Sequence, residues 1–256
     1  MKADPATLLA DADLERRFGG LRRLYGDVHY ARIRVMRVAV VGVGGVGSWA
    51  AEALARCGVA ALTLIDLDHV AESNINRQVH ALGATLGQAK VLALRERIAD
   101  IHPACVVTAI EEFVDPGNWP ALLPGPVDVV IDACDQSAAK LAIAAWALAT
   151  KAPLVIAGAA GGKRRAEAVA LADLADVTHD PLLASLRQRL RKQHGAPRSG
   201  PIGLRCVYSR ESVALPDSEC DVDGTLNCAG YGSAVTVTAS FGFVAASAAL
   251  EFAASG

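Results

Sequence analysis

The run Arg37-Val38-Ala39-Val40-Val41-Gly42-Val43-Gly44-Gly45-Val46-Gly47 constrains this chain more than any other stretch. An apolar segment leads without a polar break into a glycine cluster, and Gly42, Gly44 and Gly47 have the G-x-G-x-x-G spacing. That spacing predicts a strand, a tight turn and a helix start: one glycine makes the turn, one admits backbone N–H groups to a phosphate, and one lets helix and strand approach. The phosphate would sit at the helix N-terminus. Beyond it, Val46, Trp49, Ala50, Ala53, Leu54 and Cys57 recur at helical spacing, and Gly58 is placed to end the helix. A second strand, 61–65, runs into Asp66 and Asp68. An acidic residue about 20 positions past the glycines is the expected partner of a ribose hydroxyl.

The alternation continues. A charged, helical stretch (8–30) precedes the first strand. Later come a helix over 87–99 bearing Lys90, a strand over 105–110, and a strand over 127–131 closed by Asp132-Ala133-Cys134-Asp135. A helix (137–150), strands at 154–157 and 166–171, a helix (182–193) and a strand near 205–208 follow. This order predicts an α/β, Rossmann-like, doubly wound and mostly parallel sheet, extended toward the C-terminus and closed by a last helix. A single domain, 1–256, is expected, with a nucleotide-binding half at about 30–160 and a second half at about 161–256. The uncharged stretch 234–250 nears membrane-span length, but its Thr236, Thr238, Ser240, Gly242 and Ser247 favour a buried core helix over a stable span. Membrane association through it is the other option.

A net charge of −2 and pI near 6.3 give no global attraction to nucleic acid, so such a partner needs a local basic patch. Cysteines 57, 105, 134, 206, 220 and 228 include no C-x-x-C pair. Reduced thiols, a cytoplasmic setting and no zinc are the expectation.

A glycine fingerprint alone does not separate a dinucleotide from ATP. Activation of a carboxylate by ATP needs cations for a triphosphate and a carboxylate for magnesium. Arg77 offers a planar fork, Lys90 a point charge and Asp135 a strand-end carboxylate, while Asn74 and Asn76 are placed to orient them. Taken singly, Arg77 or Lys90 reads more readily as a solvated surface charge; Asp132 and Asp135 at strand ends tip the joint reading toward a site.

Val40-Val41-Gly42-Val43-Gly44-Gly45-Val46-Gly47-Ser48, Leu64-Ile65-Asp66-Leu67-Asp68, Asn74-Ile75-Asn76-Arg77-Gln78, Gly87-Gln88-Ala89-Lys90 and Asp132-Ala133-Cys134-Asp135 resemble, in order, the motifs of the ubiquitin-activating-type (ThiF-like) adenylating superfamily. Arg17-Phe18-Gly19-Gly20, Arg77-Gln78-Val79-His80-Ala81-Leu82 and Cys206-Val207-Tyr208-Ser209 resemble the branch that dehydrates threonylcarbamoyladenosine in tRNA. The resemblance implies that Gly42, Gly44, Gly45 and Gly47 cradle ATP phosphate and that Asp66, with Asp68 beside it, holds the ribose. It assigns Asn74, Asn76, Arg77 and Lys90 to the phosphates, Asp135 to Mg2+ and Asp132 to support of Asp135. The threonylcarbamoyl carboxylate would be adenylated and the hydantoin ring closed with loss of water. A homodimer is implied as well. Its pattern of an N-terminal Arg, an aromatic, any residue and Arg is met by Arg17 and Phe18, but Gly20 stands in the last place, leaving Arg22 or Arg23 to supply the cation.

Cys228, in a glycine-flanked segment, is a candidate acyl acceptor or an inert thiol. Arg187, Arg189, Arg191, Lys192 and Arg198, with Lys163, Arg164 and Arg165, are either a solvated face or the contacts for tRNA phosphates. Two rival readings share the nucleotide fold: an activator of a sulfur-carrier protein's C-terminus, with sulfur-transfer partners, and a non-catalytic scaffold.

Overall fold

The computed structural model describes residues 12–214 and 231–254. The alternating pattern builds one seven-stranded sheet, ordered β3-β2-β1-β4-β5-β7-β6. Its strands are β1 (Arg37–Val41), β2 (Ala61–Ile65), β3 (Val106–Ile110), β4 (Val129–Asp132), β5 (Leu154–Ala157), β6 (Val169–Asp173) and β7 (Arg205–Ser209). All neighbours are parallel except β6 against β7, so the C-terminal extension ends in an antiparallel edge. Helices are α1 (Leu14–Phe18), α2 (Gly20–Ile33), α3 (Gly47–Arg56), α4 (Lys90–Ile101), α5 (Ser137–Thr150), α6 (Pro181–Gln193) and α7 (Val235–Leu250).

β1 is buried at every position after Arg37 because both faces of the sheet are covered, which is why it reads as an apolar run rather than an alternation. The period of two still operates: Val38 and Val40 pack with α3 and α7, whereas Ala39 and Val41 pack with α5 and α6. The 234–250 segment is this core helix. Val237, Phe241, Ala245 and Ala249 are buried in the same cluster as β1 and α3. Val235–Ala254 is long and apolar enough to cross a membrane, and 56% of its most apolar window is buried inside the protein. The two halves of the sequence therefore share one sheet and one core.

Several boundaries differ from the sequence expectation. The helix placed at 87–99 starts at Lys90, because Gly87 adopts φ +81° in the preceding turn. The strand expected at 166–171 is β6 at 169–173, after a 3-10 turn over 166–168. The N-terminal stretch is two helices, the second interrupted at Gly26 (φ 78°, ψ 166°).

The chain runs from β1 outward to β2 and β3, then returns to β4 on the other side of β1. Adjacent strand ends there diverge into opposite connections, leaving a crevice beyond the carboxyl edge. The first glycine turn lies at that point.

Candidate functional site

The turn after β1 is shaped by Gly42 and Gly47. Gly42 has φ +79°, and a Cβ on Gly47 would sit 1.8 Å from the Gly42 carbonyl oxygen, so α3 can start this close to β1 only with glycine. Asp66, at the end of β2, binds the turn: Oδ2 accepts the Val43 N–H at 2.8 Å and Oδ1 accepts the Asp68 N–H at 2.9 Å. Burial pushes the Asp66 carboxyl up from the usual carboxylate range, offset in part by Lys90 and the two N–H groups. The residue that sequence spacing marked for a ribose thus also holds the glycine turn.

A cavity of about 340 Å3 opens over this turn. Gly42, Gly45, Asp66, Asp68, Asn74, Arg77, Lys90 and Asp135 all line it, which brings together most of the sequence candidates. On its cationic side, Lys90 opens α4 and is 5% exposed, with Nζ 2.6 Å from Asp68 Oδ2. Arg77 donates to the Ser73 carbonyl (2.7 Å) and to Asn76 Oδ1 (3.0 Å), and its own carbonyl accepts from Trp49 Nε1 at 2.9 Å. Asn74 Oδ1 accepts the Ala71 N–H, fixing the turn that carries Arg77, and Asn76 donates to the Ser233 carbonyl.

On the other side, two aspartates three positions apart have separate surroundings. Asp135 is exposed in the cavity and makes no ion pair among the described residues. Asp132 is fully buried, as is Lys140, whose Nζ lies 2.9 Å from Asp132 Oδ2, out of hydrogen-bond alignment, and donates to the Ala157 carbonyl at 3.0 Å. Asp132 Oδ1 accepts from the Cys134 N–H (3.2 Å) and thiol (2.9 Å). Burial and the Asp132 charge raise the Cys134 thiol well above its ordinary value. Burial alone would lower the Lys140 ammonium; the Asp132 carboxylate beside it more than offsets that. Asp132 does not line the cavity; it anchors the turn that leads to Asp135. Gly44, Gly47 and Asn76 likewise stand behind the lining.

Sequence reasoning missed Glu112, Phe113, Val114, Gly158, Ala159, Ala160 and Thr238, which also line the cavity. The glycine after β5 was the available signal for Gly158. Thr238 carried none, since it lies in an apolar helix far along the chain and reaches the site only because α7 packs beside α3.

Two other expectations change. Lys163 is 3% exposed and donates to the His179 and Glu211 carbonyls, so it does not face solvent. Arg17 donates to the Asp100 and Ile101 carbonyls at the end of α4, and Arg22 pairs with Glu15 and Asp27. Arg23 is exposed and has no such partner among the described residues. Cys228 and Cys220 lie outside the described residues.

A magnesium ion commonly takes one or two protein carboxylates and completes its shell with phosphate oxygens and water. A lone, unpaired Asp135 beside a glycine turn fits that requirement, and no cluster of three metal-ligating side chains occurs among the described residues.

The ThiF family is matched over residues 20–255. The chain is 43% identical to tRNA threonylcarbamoyladenosine dehydratase of Escherichia coli, with 96% of each chain covered, and 39% identical to that of Haemophilus influenzae, again over 96% of each. A crystal structure of the Escherichia coli dehydratase, TcdA, in complex with ATP superposes with TM-score 0.87 at 42% identity, covering 95% of this chain and 96% of that one. Molybdopterin-synthase adenylyltransferase of Escherichia coli is 40% identical, over 46% of this chain and 47% of its own.

Proposed function

Because this chain belongs to the ThiF family, we propose that its cavity binds ATP and that the protein is a tRNA threonylcarbamoyladenosine dehydratase. The observation that carries the reading is the cavity itself: Arg77 and Lys90 face Asp135 across a glycine turn at the sheet's switch point. A hydride-transfer site has no use for two cations and a free carboxylate so placed.

The chemistry follows from what these groups do to charge. The carboxylate of the threonylcarbamoyl group attacks the α-phosphorus of ATP, and the bond to pyrophosphate breaks. Negative charge builds on the leaving phosphates, where Arg77 and Lys90 stabilise it. To reach Lys90, the phosphates displace Asp68 from it. A urea nitrogen of the same substrate then attacks the acyl carbon, AMP leaves with the carboxyl oxygen, and the nitrogen loses its proton. The net change is ring closure with removal of water at the expense of ATP, giving AMP and pyrophosphate. Asp66 holds the glycine turn and faces the ribose. Asp135 would hold Mg2+, which supplies charge neutralisation to the phosphates.

Arg23 is the N-terminal cation left to reach a second copy of the chain in a homodimer. A cytoplasmic location accompanies the tRNA substrate. Molybdopterin-synthase adenylyltransferase matches over less than half of this chain, which supports common adenylate chemistry and not a shared acceptor. AMP release with modified tRNA against the same tRNA lacking the threonylcarbamoyl group tests the reading. Dependence on that group is expected; equal release from both would overturn it.

A further inference from the structure

Outside the nucleotide cavity the densest charge lies along α6. A groove of about 510 Å3 is lined by Ala184, Arg187, Gln188, Arg191, Lys192 and Arg198, and by no carboxylate. None of the four cations forms an ion pair among the described residues. Two are fixed by neutral partners. Arg187 donates to the carbonyls of Leu174 (3.0 Å) and Val177 (2.9 Å), and Arg191 Nε donates to that of Pro197 (2.9 Å). A carbonyl orients a guanidinium without cancelling its charge. Lys192 and Arg198 are exposed beside them.

The groove is joined to the site. Asp180 caps α6 by accepting the Leu183 N–H at 3.0 Å and, through its other oxygen, accepts the Ala159 N–H at 2.8 Å in the turn that lines the nucleotide cavity. Leu182, on the first turn of α6, also lines that cavity. Ala184 and Arg187 belong both to the groove and to a second concavity of about 420 Å3 that includes Asp180 and Pro181. From Leu182 to Arg187 and Arg191 the helix advances about 8 to 14 Å. At about 3.4 Å per stacked nucleotide, that is a reach of two to four nucleotides.

We propose that the α6 groove holds the phosphate backbone of the substrate tRNA, a few nucleotides from the base whose substituent enters the nucleotide cavity. The proposal rests on the tRNA reading above and adds the place of contact. Arg187 and Arg191 are preset, and Lys192 and Arg198 close on the backbone as counterions leave. A chain with net charge −2 thereby attracts a polyanion through a local patch.

The test uses Lys192→Glu with Arg198→Glu in the full-length protein loaded with a non-hydrolysable ATP analogue, chosen because neither side chain supports a loop. A control, Lys151→Glu with Arg95→Glu, makes the same charge change at exposed positions elsewhere. Binding of modified tRNA is followed by fluorescence anisotropy across a salt series. The groove variant should bind at least about 10-fold more weakly, with the slope of log affinity against log salt shallower by roughly 1 to 2 units, and its affinity for the ATP analogue should not move. The control should retain most of the parent's affinity and slope. Equal weakening by both variants, or no change in the groove variant, overturns the groove. A parent that binds tRNA yet releases no AMP in its presence sinks the dehydratase reading while leaving the groove measurable; a parent that does not bind tRNA overturns both.

Discussion

Around the nucleotide cavity cations and carboxylates stand together: Lys90 pairs with Asp68, Asp66 accepts two backbone N–H groups and Asp132 lies against Lys140, while Arg77 meets neutral acceptors and Asp135 stands unpaired among the described residues. Along α6 the cations are oriented but not compensated, because Arg187 and Arg191 meet only carbonyl oxygens. The difference separates two tasks that need opposite electrostatics. A site for a small, multiply charged ligand must be rigid and near neutral when empty, so that binding exchanges one set of partners for another. A surface for a long polyanion needs net charge that reaches into solvent. An arginine held by neutral acceptors occurs in both regions; what separates them is that carboxylates share the cavity lining and none lines the groove.

The largest expected effect breaks the compensated region. Lys140→Met leaves Asp132 buried without a counterion, and urea unfolding should show a loss of about 3–5 kcal/mol. Adding Asp132→Asn, which keeps an acceptor for the Cys134 N–H, should restore at least half of it. A single mutant as stable as the parent would mean that the pair is not charged.

Next is the carboxylate that stands outside the compensated set. Asp135→Ala should leave the melting temperature within a few degrees of the parent and reduce AMP formation by roughly 100-fold or more. Near-normal turnover would remove Asp135 from the mechanism.

A smaller effect separates orientation from charge on α6. Arg187→Ala deprives two loop carbonyls of a charged donor and should cost roughly 2 kcal/mol of stability. Lys192→Ala should cost almost none. Equal stabilities for the two variants would show that the carbonyl contacts do not hold the loop.

The smallest concerns His80, 1% exposed and without a hydrogen-bond partner on either ring nitrogen. Burial, with the Lys90 and Arg97 charges, lowers it to about 4 from 6.5. The unfolded chain takes up this proton as the pH falls through 6.5, while the folded chain does so only near 4. Its contribution to stability is therefore intact above pH 6.5 and lost as pH falls toward 4, about 1 kcal/mol of it by pH 5.5. His80→Leu should flatten the fall in unfolding free energy between pH 7.5 and 5.5; an unchanged profile would assign the acid sensitivity elsewhere.

The strands and the glycine turn were legible because each is encoded within a few residues: an apolar run, a spacing, a capping glycine. That Asp66, Arg77, Lys90 and Asp135 meet at one cavity was legible because strand ends and the turns after them are where a doubly wound sheet gathers ligands. The interior position of Asp132 was not legible: Asp132 ends β4 as plainly as Asp135 follows it, and only the burial of Lys140 on α5 shows it turned inward, where it anchors the turn leading to Asp135. Lys163 was misread as a surface cation, and the fixing of Arg187 was not foreseen, because their partners are backbone carbonyls, which leave no mark in a sequence. The tight junction of α7 with α3 is marked by a single residue, Gly242, whose added Cβ would lie 2.6 Å from the Val46 carbonyl oxygen and 2.7 Å from Trp49 Cβ.

That junction has a bearing on the order in which the protein is made. The helix that begins at Gly47 is supported by one that begins at Val235, 188 positions later (235 − 47). At about 5–20 residues per second a ribosome takes roughly 10 to 40 s to cover that distance. Throughout that interval the glycine turn exists without the wall that Thr238 and Phe241 provide. A nascent chain halted between about residues 160 and 235 thus carries every nucleotide-binding motif and lacks the wall against which they pack, so the cavity is complete only once α7 has been made.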